Sequence, residues 1–193
     1  MDRTTIVSDI NALLHITAGC LANWLDEILP RVTDSWWEDC VLSSLSYSQR
    51  EVAENRNFSK LSDFDLAALL RIANKSWYDM RTVAYLPTSE RECVRNMISV
   101  RNNWAHCSAE LPDKDTILRD LNIILKFAQQ VNCEHAVYAK ISELTAFIEK
   151  PGSIAFTPQR AEDLSKPTAA LPAGSSAITQ NSMVCLVSNP QKR

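Results

Sequence analysis

From Cys93 to His106 the chain reads Cys-Val-Arg-Asn-Met-Ile-Ser-Val-Arg-Asn-Asn-Trp-Ala-His, and these residues are the best suited to chemistry. Wound as a helix at about 100° per residue, the segment puts Cys93, Met97, Val100 and Trp104 on one narrow apolar stripe. Arg91, Arg95, Ser99, Asn102 and His106 lie opposite, and Arg101 sits between the two faces with a side chain long enough to swing toward either. Asn102 and His106 are four apart, so the amide can touch and orient the imidazole. A histidine at a helix C-terminus on a solvated face is favoured in its protonated form. A phosphodiester reaching this face would meet guanidinium donors and one group that titrates near neutrality, the requirements for acid–base catalysis at phosphorus. As a bare pattern Arg-x4-His is weak, because arginines on a polar face are usually just solvated.

The elements that must position these residues read as helices. Only Gly19 precedes position 150 among the three glycines, too few for the turns of a sheet protein of this length. Ile6, Ile10, Leu13, Thr17, Cys20 and Trp24 recur at three- and four-residue steps, and Pro30 ends that segment. Thr33 and Asp34 can cap a second helix carrying Trp36, Trp37 and Val41, which breaks around Ser46 to Ser48. Ser62 with Asp65 reads as the start of a third, with Leu66, Leu69, Ala73, Trp77 and Met80 on one face. Ser89 and Glu92 form a capping box for the fourth, which runs to about His106. Asp113 or Asp115 caps a fifth helix with Ile117, Leu121, Ile124, Ala128 and Val131. A sixth, from about Glu134 to Lys150, aligns Val137, Ile141, Leu144 and Ile148. The tryptophans at 24, 36, 37, 77 and 104 stand among apolar neighbours and are expected to pack in the core. His15, within an apolar helix, reads as a satisfied core residue or a surface one.

Residues 1–150 are thus expected to form one all-α bundle of about five to six helices. Residues 151–193 hold five of the eight prolines and two of the three glycines, and read as a Pro/Ala/Ser-rich linker or tail that cannot bury enough apolar surface to order itself. Within it, Met183 to Val187 could be a short strand that pairs elsewhere.

Composition excludes several function classes. A net charge of −3 gives no global attraction to nucleic acid or anionic membrane, so any RNA contact must come from a local basic patch. The six cysteines (20, 40, 93, 107, 133 and 185) include no CxxC pair, and no histidine is spaced with a second ligand, so no metal site and no cofactor are expected. Without a signal-peptide pattern or an apolar run near 18 residues, the expectation is a cytoplasmic chain with reduced thiols and no membrane span.

Arg101-Asn102-Asn103-Trp104-Ala105-His106 resembles the RNxWAH form of the R-x4-6-H motif of HEPN domains. The Trp36-Trp37 pair, the Asp63-Phe-Asp-Leu-Ala-Ala-Leu-Leu segment and the helix after the motif are similar to one branch of that superfamily. Members of the branch stand at the N-termini of bacterial defence ATPases and helicases, and a related domain accompanies a PIN-type endonuclease in eukaryotic mRNA surveillance. The resemblance covers roughly residues 1–150. For active members it implies metal-independent RNA cleavage in a dimeric cleft, with His106 as general acid or base, Arg101 stabilising transition-state charge and Asn102 holding the imidazole or a phosphate oxygen. It implies a homodimer, an RNA partner and a possible fused or associated ATPase or helicase, in a setting such as anti-phage defence. Many relatives are instead inactive RNA-binding or dimerisation modules of larger proteins. An acidic residue that some members add on an earlier helix corresponds here to Asp63, Asp65 or Asp79. Arg91 and Arg95 lie outside the motif and are added as RNA-binding residues from their place on the helix face.

Overall fold

Four of the helices start where a side chain takes up a free amide. In the computed structural model, which describes residues 2–105, 107 and 111–150, α1 (Arg3–Ile28) begins at Asp2, whose carboxylate accepts from the Thr5 amide at 2.8 Å. Its face of Ile6, Ile10, Leu13, Leu14, Leu21, Leu25 and Ile28 is buried, and Thr17 hides its hydroxyl by donating to the Leu13 carbonyl at 2.7 Å. With the 3-10 turn Leu29–Arg31 that follows, α1 is long and apolar enough by composition to cross a bilayer, against the expectation that no such segment exists. That apolar face is occupied otherwise: α1 is the core helix, against which the other long helices pack.

The second expected helix is not regular. Trp37–Val41 is a wide π-helical turn and Leu42–Ser44 a 3-10 turn. A further helix, α2 (Tyr47–Asn55), then starts where a break was expected. Ser46 caps it through a reciprocal box with Gln49: the hydroxyl accepts from the Gln49 amide at 3.3 Å, and the Gln49 side chain accepts from the Ser46 amide at 3.0 Å. The third helix, α3 (Leu66–Lys75), is capped by Asp65, which accepts from the Ala68 amide at 2.9 Å, and not by Ser62, which lies in the preceding 3-10 turn. It stops at Ser76, and the short α4 (Trp77–Met80) continues the apolar face separately.

The motif helix α5 (Thr88–Ala105) places Ser89 inside its first turn rather than at the cap. The sixth, α6 (Lys114–Gln130), is capped by Asp113 rather than Asp115, and the bonds from Thr116 hold the Asp113 carboxyl below its ordinary value of 3.8. The last described helix is α7 (Glu134–Glu149). No strand occurs among the described residues, and the fold class is all-α as expected. The whole of 151–193, including Met183 to Val187, lies outside them.

Two asparagines explain how the helices end without glycine. Asn57 (φ 53°) follows α2 and Asn132 (φ 57°) follows α6, each in the left-handed conformation that glycine usually supplies. After each, the next amide reaches back five residues: Phe58 donates to the Ala53 carbonyl at 2.9 Å, and Cys133 to that of Ala128 at 2.8 Å. Both are Schellman closures with Asn in the glycine position.

An aromatic cluster then fixes the segment leading into α3. Trp36 meets Trp37 edge-on at 5.5 Å, Trp37 lies 6.0 Å from Phe64, and Phe58 meets Phe64 edge-on at 5.1 Å. Trp24, Trp77 and Trp104 are buried, as a packing role requires. The five cysteines among the described residues are free thiols.

Candidate functional site

The end of α5 is held by a buried polar pin. Val94, Met97, Val100 and Trp104 form its buried face, with Val94 taking the place expected for Cys93, which is only half-buried. The Trp104 indole donates to Asp120 on α6 at 3.0 Å, and Asp120 is 1% exposed. Its other oxygen accepts from Arg119 at 3.3 Å. A carboxylate this deep is tolerated because both oxygens have partners. Sequence reasoning missed the pair, although an Asp at a core-facing position of α6 was a visible signal.

With its inner face pinned, α5 presents Arg101 at its flank toward α3. The side chain is 30% exposed, so it is neither sealed in the core nor free in solvent. Its Nη2 lies 3.3 Å from Asp65 Oδ2, and its Nη1 donates to Asn102 Oδ1 at 3.3 Å. Asp65 therefore caps α3 with one oxygen and orients Arg101 with the other. Of the three acids left open by the sequence, it alone pairs with Arg101. Asp63 closes the turn before α3 by accepting from the Ser59 and Lys60 amides at 3.1 and 3.0 Å, and Asp79 lies near Cys40, whose thiol it helps to push up after burial.

Asn102 is exposed, with its carbonyl oxygen turned to Arg101. His106, the expected acid–base group, lies outside the described residues, as does any contact between it and Asn102. Arg95 is exposed and pairs loosely with Glu92 at 3.7 Å. Arg91 is half-buried and tied to α3: its Nε and one Nη donate to the side chain and carbonyl of Asn74 at 3.2 and 3.1 Å, and its guanidinium stacks over Tyr78 at 4.6 Å.

Arg101 is the residue shared by two grooves. One, about 660 Å³, runs between α1 and the end of α5 and includes Asn11, His15, Gly19, Asp63, Asp65 and Ala105. His15 is exposed there, so the sequence alternative of a core histidine is excluded in favour of a surface one. The other, about 290 Å³, runs between α3 and α5 with the start of α2 and includes Arg71, Asn74, Lys75 and Asn102. The arrangement offers an oriented cation beside open space on both sides, where a phosphodiester can approach.

No curated protein and no solved structure matches the chain. A family model described as Swt1-like HEPN matches residues 12–132, from the third turn of α1 through the Arg101–His106 motif to just past the end of α6. The chain belongs to the Swt1-like HEPN family.

Proposed function

We propose that this domain is a metal-independent endoribonuclease that acts as a homodimer. The observation that carries the reading is the pairing of Arg101 with Asp65, which holds a guanidinium at the groove edge five residues before His106. In this mechanism His106 takes the proton of a ribose 2′-hydroxyl, whose oxygen attacks the adjacent phosphorus. The bond to the 5′-oxygen breaks, and that oxygen leaves with a proton returned by an imidazolium, giving a 2′,3′-cyclic phosphate and a 5′-hydroxyl. Arg101 neutralises the charge that grows on the phosphoryl oxygens. Asn102 steadies Arg101 in the free protein and turns to the imidazole or a phosphate oxygen when RNA is bound. The substrate supplies its own nucleophile, so the protein supplies position, charge and proton transfer. Arg95 is a peripheral phosphate contact; Arg91 reaches RNA only by releasing Asn74. Two copies would double the positive charge at the cleft despite an acidic whole. A setting in anti-phage defence, with an ATPase or helicase fused or associated, follows from the branch that the motif resembles. The bundle of residues 1–150 is the functional unit, and 151–193 a linker.

The second reading is a non-catalytic RNA-binding and dimerisation module of a larger defence or nucleic-acid-processing protein. It is favoured by the larger groove, where two carboxylates, Asp63 and Asp65, outnumber the one guanidinium and oppose the entry of a phosphodiester for cleavage. Incubation of RNA with the wild type, Arg101→Ala and His106→Ala in EDTA separates the two. The nuclease gives EDTA-resistant cleavage that disappears in both variants. Equal background from all three proteins overturns it, and RNA binding without cleavage in the wild type supports the module.

A further inference from the structure

We infer that the groove between α3 and α5 is a lane for the phosphate backbone of single-stranded RNA, with Arg71, Lys75 and Arg101 as its cations. The inference rests on the RNA-directed reading above and assigns substrate contacts to residues outside the motif. Arg71 and Lys75 are four apart on α3, so they stand one turn apart on the same face. Arg101 and Asn102 of α5 face them across the groove, and Asn74 supplies an amide between. No carboxylate among the described residues lines this groove, whereas Asp63 and Asp65 both line the groove on the other side of Arg101.

The walls are fixed before any ligand arrives. Arg71 donates its Nε to the Ser44 carbonyl at 2.7 Å, which leaves the outer edge of its guanidinium directed away from that bond. Asn74 is held by Arg91, itself stacked on Tyr78. Lys75 is exposed and makes no salt bridge among the described residues. Three cations and two amides on two braced helices suit a repeating anion, because guanidinium and ammonium donors bind phosphate oxygens without reading bases. Arg101 belongs to this lane and to the catalytic end alike, so a strand following the lane arrives with one phosphate beside the motif.

The test uses the full chain and a labelled 2′-fluoro oligouridylate, which keeps the phosphates and lacks the attacking hydroxyl, so that binding is read without cleavage. Lys75 is the position to change, since Arg71 also braces Ser44. Anisotropy titrations at several salt concentrations compare the wild type with Lys75→Glu, Lys75→Gln and a control, Lys126→Glu, on α6. The lane predicts affinity lowered about tenfold in Lys75→Glu and about threefold in Lys75→Gln, with the salt slope of the latter reduced by about 0.7 and Lys126→Glu close to wild type. Wild-type binding that neither Lys75 variant weakens, or that Lys126→Glu weakens equally, overturns the lane and leaves RNA recognition standing. A wild type that does not bind overturns both. Competition by polyglutamate as strong as that by RNA assigns the groove to an acidic protein partner and also overturns it. Melting curves confirm that each variant is folded, and Lys75→Gln carries the test if the charge reversal is not.

Discussion

The two grooves that meet at Arg101 share one guanidinium and differ in nearly everything else. The groove against α1 holds His15, Asp63 and Asp65 around a helix surface left bare by Gly19, while the groove against α3 holds Arg71 and Lys75 with carboxamides between them. On the first side Arg101 is oriented by a carboxylate; on the second it is reinforced by like charge. A net charge of −3 hides this division completely. The lesson is that attraction for a polyanion is set by how charges are distributed across a few side chains, because a whole-chain sum averages over faces that the ligand never meets.

Both grooves suffer most if α5 loses its seat, since both use that helix as a wall. Trp104→Phe removes the donor to Asp120, leaving a buried oxygen unpaired, and the smaller ring leaves a cavity where the indole packed. A loss of about 2 kcal/mol in denaturant unfolding is expected, with the midpoint lowered and RNA binding reduced only through the unfolded fraction. A change within experimental error would show that the pin is not holding the helix.

Asp65→Asn separates the two grooves, because it acts on one of them with the opposite sign to a loss of Lys75. Asparagine still caps α3, so the fold survives. The exposed ion pair itself contributes only about 0–1 kcal/mol. With the carboxylate gone, RNA binding should tighten about threefold, while cleavage at saturating RNA falls about tenfold as Arg101 loses its orientation. Weaker binding, as for a lost lysine, would mean that the two sides are not distinct in charge.

The smallest effect concerns Gly19. A Cβ built there meets nothing within 4 Å, so packing does not demand glycine at this exposed position of α1. Gly19→Ala should therefore stabilise the domain by about 0.5–1 kcal/mol, read as a raised melting temperature. If the glycine keeps the α1 groove open to substrate, Gly19→Leu should lower cleavage without changing affinity in the α3 groove. Loss of affinity on both sides would tie the grooves into one site.

Much of this fold is legible in the residues. Periodicity located α1, α3, α5, α6 and α7, because each lays a continuous apolar face on a neighbour and the spacing survives into the core. The region from Trp36 to Asn55 was read less well. There the tryptophans pack through a π-helical and a 3-10 turn, whose periods match neither template, and the Ser46–Gln49 box starts a helix where spacing alone reads as a break. The scarcity of glycine indicated helices correctly, yet concealed that Asn57 and Asn132 do a glycine's work at two helix ends. At the site, Arg101 and Asn102 were placed on the right helix. The choice of Asp65 among three acids, the tethering of Arg91 to Asn74 and the basic α3 groove all depend on pairing between helices, which spacing within one helix cannot reveal.

If the substrate's own 2′-hydroxyl is the nucleophile, activated by His106 and aided by Arg101, cleavage must depend on that one oxygen. The most direct measurement uses an RNA with one mapped cleavage position and its twin carrying a single 2′-deoxy sugar there, both incubated with the full chain in EDTA. The first should be cut to a 2′,3′-cyclic phosphate and the second left intact at that bond while binding equally well. Cleavage of the deoxy twin at the same position would contradict that dependence.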